Sequence, residues 1–213
     1  MKRSDNRPAF IAGIFLFVIY LVGTTGISLP RTHELFAGLT PISLLVSTIL
    51  LLAFHRSWSL RAVLVFTGIA LAGFLIEIIG VETGVIFGEY SYGVVLGPSV
   101  DGVPLIIGLN WLILIYITGD LAGRIFKYPA LKVIGTAILM VLFDLLMEPV
   151  AITLDMWHWS GQGIPLLNYL AWFVISLVFA GMIHGFSIRL RNPLSGYLLL
   201  FMALFFGVLN ITL

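Results

Sequence analysis

Seven stretches of this chain are apolar over membrane-spanning length, and polar or glycine- and proline-bearing segments separate them. They cover residues 9–29, 36–54, 61–81, 103–123, 131–150, 166–187 and 194–212. Each is close to the ~20 residues that an α-helix needs to cross the hydrocarbon core of a bilayer. The second is the weakest, because Pro41 interrupts it near its start. No connection is long enough to separate two domains. The pattern therefore predicts an all-α, polytopic membrane bundle of seven helices, with residues 1–213 as a single integral membrane domain.

Composition agrees with that class. Hydrophobic residues make up 60% of the chain, charged residues 10%, and mean hydropathy is +1.12. A water-soluble domain has no use for so much apolar surface. A net charge of +1 leaves no electrostatic footprint for nucleic acid, and the absence of Cys excludes disulfides, thiolate metal sites and thiol nucleophiles. The opening MKRSDNR before an apolar run imitates a signal peptide. The run from Pro8 to Leu29 is longer than a signal-peptide core and carries no convincing small-residue cleavage site, so it reads as a retained first helix.

Lys and Arg then set an expected orientation. Lys2, Arg3, Arg7, Arg56, Arg61, Arg124, Lys127, Lys132, Arg189 and Arg191 all fall on one side of a seven-span chain, and only Arg31 falls on the other. The basic side is expected to be cytoplasmic, with the N-terminus inside and the C-terminus outside.

The acids run the other way. Only Asp5 and Asp120 belong to the basic side. Glu34 and Asp101 read as solvated loop residues. Glu77, Asp144 and Glu148 lie inside apolar helical sequence, where a carboxylate is costly and usually functional. No Lys or Arg occurs from Ala62 to Gly123 to neutralise Glu77, Glu82 or Glu89. Asp144 and Glu148, four apart, share a helix face, where two like charges repel. The alternative is that these acids are buried hydrogen-bonding groups that tie helices together.

A short pattern occurs twice. From Glu82, six residues lead to Glu89, then Tyr90-Ser91-Tyr92, then Gly102-Val103-Pro104-Leu105 and Trp111. From Glu148, six residues lead to Asp155, then Met156-Trp157-His158-Trp159, then Gly163-Ile164-Pro165-Leu166 and Trp172. Glu77 and Asp144 occupy similar places upstream. Both copies run outward, cross a loop and return, as parallel repeats do, with half-repeats near 74–123 and 141–187. A duplication would bring two acid-and-aromatic loops over one cavity. Gly84, Gly88, Gly93, Gly97 and Pro98 in one loop, and Pro149, Gly161, Gly163 and Pro165 in the other, are expected to keep long helices out of them. Tyr90, Tyr92, Trp157 and Trp159, taken singly, suit an interfacial aromatic belt. Clustered beside acids, they also suit an electron-rich apolar ligand or a cation formed from it.

The chain has no nucleotide-binding glycine loop, no H-E-x-x-H and no G-x-S-x-G. His33, His55, His158 and His184 divide between the two sides and form no cluster. Acids remain, with Asn110 and Asn168 as neutral polar groups in apolar helices. A carboxylic acid kept neutral by burial can protonate a weak base, and in an aromatic-lined, lipid-facing pocket that base is an alkene. The resulting tertiary carbocation would be stabilised by aromatic faces and carboxylates, and captured by water.

The run EIIGVETGVIFGEYSYGVVLGPSVDGVPLIIGLNW, and DLLMEPVAITLDMWHW with GIPLLNYLAW, resemble the two signatures of a membrane carotenoid-biosynthesis family. That family includes the CruF-type carotenoid 1,2-hydratases and bisanhydrobacterioruberin hydratases. The resemblance covers roughly Leu75 to Trp172. It departs from the family pattern at Ile86, where a Pro is usual, and in a short stretch between Trp159 and Pro165; both bear on the substrate more than on the chemistry. The resemblance implies a hydro-lyase that adds water to the terminal double bond of an acyclic carotenoid end group without a cofactor. It implies a membrane-dissolved carotenoid and water as partners, in a bacterial or archaeal cell membrane and in the company of other carotenoid enzymes.

Within that reading Glu77, Glu82, Asp144 and Glu148 form the expected acid-base set around one cavity. Glu89 and Asp155, with Tyr90, Tyr92, Asn110, Trp157, Trp159 and Asn168, are expected to position substrate or water. Three rivals stand beside it. A lycopene-cyclase-like enzyme would use the same protonation to close a ring. A seven-helix proton or ion relay would need ionisable groups through the full membrane thickness. A non-catalytic scaffold would need no site.

Overall fold

A computed structural model describes residues 7–213 of the chain. Lys2, Arg3 and Asp5 therefore lie outside the described residues. Among the described residues there are eight α-helices: α1 (Arg7–Ser28), α2 (His33–Gly38), α3 (Thr40–Ala53), α4 (Leu60–Thr83), α5 (Ile106–Ile125), α6 (Pro129–Thr153), α7 (Leu166–Gly185) and α8 (Ser195–Thr212). With α2 and α3 counted as one broken span, seven helical segments are long and apolar enough to cross a membrane. The break falls at Leu39, and Pro41 stands in the first turn of α3. A proline there loses no helical bond, because the first-turn N–H groups have no intrahelical partner.

The spans run alternately, so the bundle has two distinct ends. One carries the strands and most acids and is called here the strand end. The other, the basic end, carries Arg56, Arg124, Lys132, Arg189 and Arg191. α5 is buried along most of its length and is packed by α3, α4, α6, α7 and α8. The other spans keep broad faces outward, and those faces are apolar: Phe10, Leu64, Leu75 and Val174 are all more than half exposed. Outward leucine and valine are disfavoured against water and suited to acyl chains.

Two boundaries differ from the sequence pattern. The fourth span starts at Ile106, not at 103, because β2 (Ser99–Val100) pairs with β3 (Val103–Pro104). Asp101 and Gly102 join them with φ of 50° and 77°. Two left-handed residues make the tight hairpin turn that Asp-Gly favours. Second, Pro149 does not end its helix: α6 continues through it to Thr153. Near a helix end proline removes one bond only, and the close packing of α6 on α7 outweighs it.

The strand end is closed by a second pair. β1 (Tyr90–Tyr92) runs antiparallel to β4 (Trp157–Trp159), with Tyr90 opposite Trp159, Ser91 opposite His158 and Tyr92 opposite Trp157. The Gly93 N–H donates to the Met156 carbonyl at 2.9 Å, and the Ser160 N–H to the Glu89 carbonyl at 3.0 Å. A Cβ on Gly93 would lie 2.0 Å from the Asp155 carbonyl oxygen, so this crossing of two backbones needs glycine. Non-helical backbone next to a membrane must be covered or line a cavity. Here the helix ends enclose it, and Tyr90 and Trp157 are buried.

Candidate active site

Beneath the β1–β4 pair, α4, α5, α6 and α7 surround a small polar cavity. α4 supplies Glu77, α6 supplies Asp144 and Glu148, α7 supplies Asn168, and α5 supplies Asn110 and Trp111. All three acids are buried, Asp144 completely.

Each half of the pattern seen in the sequence supplies a carboxylate and the aromatic donors that hold it. Glu77 Oε2 accepts from the Tyr90 hydroxyl at 2.5 Å and the Tyr92 hydroxyl at 2.8 Å, and Oε1 accepts from Trp111 Nε1 at 2.9 Å. Burial, and next the Glu77 charge, push both phenols well above the ordinary tyrosine range, so they stay protonated donors. Glu148 Oε2 accepts from Trp157 Nε1 and from Trp159 Nε1, each at 3.0 Å. Asn168 Nδ2 donates to Asp144 Oδ2 at 2.8 Å and to Glu148 Oε1 at 3.3 Å. One amide thus sits across the two acids that share a face of α6. The other oxygen of Asp144, Oδ1, is buried with no hydrogen-bond partner among the described residues. A buried acceptor without a donor is costly.

The aromatics form one wall. Tyr90 lies against Trp159 with ring centroids 5.1 Å apart, and Tyr92 meets Trp157 edge-on at 6.1 Å. Below them Trp111 and Trp172, which follow the two Gly-x-Pro-Leu elements, stack at 4.4 Å. Phe87, Ile107, Met147 and Trp172 complete the lining. The cavity has ≈ 30 Å³ of free space, enough for about two waters. It adjoins an apolar cleft of ≈ 70 Å³ lined by α1, α2, α3 and α8, and Ile107, Asn110, Met147 and Trp157 belong to both.

Three expected residues are not part of this cavity. Glu82 is exposed near the end of α4. Five residues after Glu77 it is turned by about 140° around the helix, so the two acids cannot face one cavity. Glu89 is exposed and packs its side chain by Gly84. Asp155 is exposed, has a φ of 57° and pairs with His158 within the loop. The expectation that Glu82 completes an acid set of four is thereby corrected to three. Glu77, Asp144, Glu148, Tyr90, Tyr92, Asn110, Trp157, Trp159 and Asn168 do come together. Trp111 and Trp172 were missing from the candidate residues. Their matched place, seven residues after each proline, was the signal that could have found them.

No group of three or more His, Asp or Glu among the described residues is arranged to hold a metal ion.

With this geometry in view, the comparisons with known proteins are specific. The sequence model of the carotenoid biosynthesis protein family matches residues 38–212. The chain belongs to that family. The match reaches beyond the two signatures and takes in α3 to α8, whereas α1 precedes it. The bisanhydrobacterioruberin hydratase of Haloarcula japonica is 29% identical over 127 residues, which cover 54% of this chain and 42% of that protein. The aligned part of this carotenoid biosynthesis protein therefore spans less than half of that relative. No solved structure matches the chain.

Proposed function

We propose that this protein is a carotenoid 1,2-hydratase that adds water across the terminal double bond of an acyclic carotenoid end group. One observation carries the reading. A buried carboxyl oxygen without a donor, Asp144 Oδ1, lies in an aromatic-walled, water-sized cavity that adjoins an apolar cleft. The name of the Haloarcula japonica relative supports the same chemistry.

The chemistry assigns roles as follows. Glu77 faces three donors and Glu148 faces three, so neither has an oxygen that no donor reaches. Asp144 has one, and as a neutral acid it delivers its proton to the less substituted alkene carbon. The positive charge then rests on the tertiary carbon. The faces of Tyr90, Trp157 and Trp159, together with the carboxylates behind them, stabilise it. A water in the cavity attacks that carbon, and its surplus proton returns to Asp144 through the carboxyl cluster. One water is consumed per end group and nothing is oxidised or reduced. Asn168 fixes the Asp144 carboxyl through Oδ2 and leaves Oδ1 to react. The end group arrives through the apolar cleft, where Met147, Met156 and Met202 supply flexible walls able to part around it.

The decisive experiment is expression in a lycopene-producing host, followed by mass spectrometry of the pigments. Gain of one water per converted end group is expected. A product of unchanged mass would mean ring closure, and unchanged pigment would remove the enzymatic reading. The reading includes no metal or nucleotide: loss of activity with EDTA, restored by a divalent cation, would recast the acids as ligands.

The site is proposed to face away from the cytoplasm, in the cell membrane of a bacterium or archaeon. The bias of Lys and Arg supports this. Reporter fusions after Lys127 and after Ser160 should fall in opposite compartments, and agreement between them would overturn the orientation and the seven-span order together.

A further inference from the structure

The basic end holds a second, larger concavity that plays no part in the proposed chemistry. It is an open cavity of ≈ 1000 Å³, lined by Arg56, Arg124, Lys132, Arg189 and Arg191. Arg56 comes from the α3–α4 connection, Arg124 and Lys132 from the facing ends of α5 and α6, and Arg189 and Arg191 from the α7–α8 connection. Among the described residues that line it, Asp120 is the carboxylate, and it accepts from Arg124 at 2.6 Å.

The general bias of basic residues to one membrane side explains which end they occupy. It does not explain why two connections and two helix ends turn five cations toward one hollow, where they repel each other. The hollow is also held in shape. Arg124 donates to the Asn192 carbonyl at 2.8 Å, and the buried Asn192 amide donates to the Leu51 carbonyl at 2.7 Å, which pins the α7–α8 connection to the end of α3. On its α5 wall Gly119 and Gly123 alternate with Asp120 and Arg124 and add no side chain, and a Cβ on Gly123 would meet nothing within 4 Å.

We propose that this cavity binds the phosphate of an anionic phospholipid headgroup. Guanidinium groups match phosphate oxygens in pairs, and anionic headgroups gather at basic pockets between transmembrane helices. A lipid is favoured over free phosphate because large apolar side chains flank the cationic positions in the chain. Ile125, Tyr128 and Phe186 are each more than half exposed and offer acyl chains a surface beside the charged hollow.

The full chain would be purified into nanodiscs of phosphatidylcholine carrying a small fraction of phosphatidylglycerol, and the lipids retained after transfer to the gas phase weighed by native mass spectrometry. The wild type should keep phosphatidylglycerol in preference to phosphatidylcholine. The double variant Arg189→Glu with Arg191→Glu should lose that preference on the order of tenfold or more. Gly123→Trp, which narrows the hollow beside Arg124 and removes no charge, should weaken it as well. Arg31→Glu at the strand end should keep it, and melting temperatures would establish that all variants are folded. The readout requires no turnover, so it stands apart from the hydratase reading. Equal retention in all four proteins would overturn the proposal, as would an equal loss in Arg31→Glu, which would reduce the effect to net charge. Binding of inorganic phosphate by protein in pure phosphatidylcholine, with no preference for the anionic lipid, would overturn the lipid as its source.

Discussion

The segment from α4 through β1 to α5 and the segment α6–β4–α7 share a helix–strand–helix order, the first with the β2–β3 hairpin added, yet they serve the cavity differently. In the first, one carboxylate, Glu77, takes two phenols and an indole. In the second, the two indoles of β4 go to Glu148, and a further acid, Asp144, sits one helical turn earlier with an oxygen that no donor reaches. Counting 13 residues back from Tyr90 reaches Glu77, and the same count back from Trp157 reaches Asp144 (157 − 144 = 13). Corresponding positions thus carry an acid held at both oxygens in one segment and an acid held at one oxygen in the other. In the proposed reaction the first holds the aromatic wall in place and the second reacts.

Amide substitution breaks that comparison most sharply. Asp144→Asn keeps the shape and a hydrogen-bonding edge toward Asn168 but has no proton to give. Turnover per folded molecule should fall by ~10²–10⁴-fold, the usual worth of general acid catalysis, with folded yield kept. Glu77→Gln should show the reverse, with folded yield and melting temperature reduced and the surviving protein still converting pigment. If Glu77→Gln abolishes turnover in well-folded protein while Asp144→Asn retains it, the two acids have been assigned the wrong way round.

The stacked indoles test the part that the segments share. Trp111 is 1% exposed, donates to Glu77 and stacks on Trp172. Trp111→Ala should cost about 3–5 kcal/mol, the range for deleting a large buried aromatic, measured as loss of melting temperature in detergent. Trp172 has the stack but donates to neither acid, so Trp172→Phe should cost less than Trp111→Phe. Equal losses would show that the Glu77 bond adds nothing to the packing.

Smaller effects belong to the strand aromatics. Tyr92→Phe removes one of three donors from Glu77 and leaves the ring in place. A lost bond at a buried carboxylate is worth ~1–3 kcal/mol. Tyr90→Phe and Tyr92→Phe should therefore lower stability and leave the alkaline limb of turnover unmoved, because phenols raised this far do not titrate in the working range. A shift of that alkaline limb in either variant would bring the phenols into the proton path.

The sequence made these parts legible to different degrees, for reasons that can be traced to single residues. The spans were plain because outward faces such as Phe10 and Leu64 are apolar where a soluble helix would be polar. Glu77, Asp144 and Glu148 were visible because nothing else polar surrounds them in their helices. Glu82 was misplaced by one residue of spacing. Glu89 directly precedes Tyr90, but Met156 intervenes between Asp155 and Trp157, so matching the acids by their six-residue interval aligns Glu82 with Glu148. Counting from the aromatics instead aligns Glu77 with Asp144. The apolar cleft was not legible at all. Its walls are Gly23, Phe36, Leu44 and Phe205, residues whose only sequence signal is hydrophobicity, and hydrophobicity does not say which neighbour a helix faces.

The smallest expected effect sharpens the comparison most. Glu82 and Glu89 satisfy the repeated interval as well as Glu148 and Asp155 do, so the sequence alone treats the four acids alike. Space does not. Glu82 and Glu89 are exposed, and Asp155 is exposed and answered by its neighbour His158. Exposed groups away from special contacts change stability by roughly ±0.5 kcal/mol when replaced, and an exposed ion pair adds about 0–1 kcal/mol. Glu82→Gln, Glu89→Gln and Asp155→Asn should therefore leave turnover within the scatter of the assay, with Asp155→Asn the least stable of the three. Glu148→Gln, the partner that the repeat assigns to Glu82, should not be silent: it disturbs the oxygen that holds both indoles of β4 and the edge that Asn168 shares with Asp144. The contrast between Glu82→Gln and Glu148→Gln separates the two registers directly. A large loss in Glu82→Gln would return that acid to the reaction, and would require α4 to turn by more than a third of a helical turn from the arrangement described.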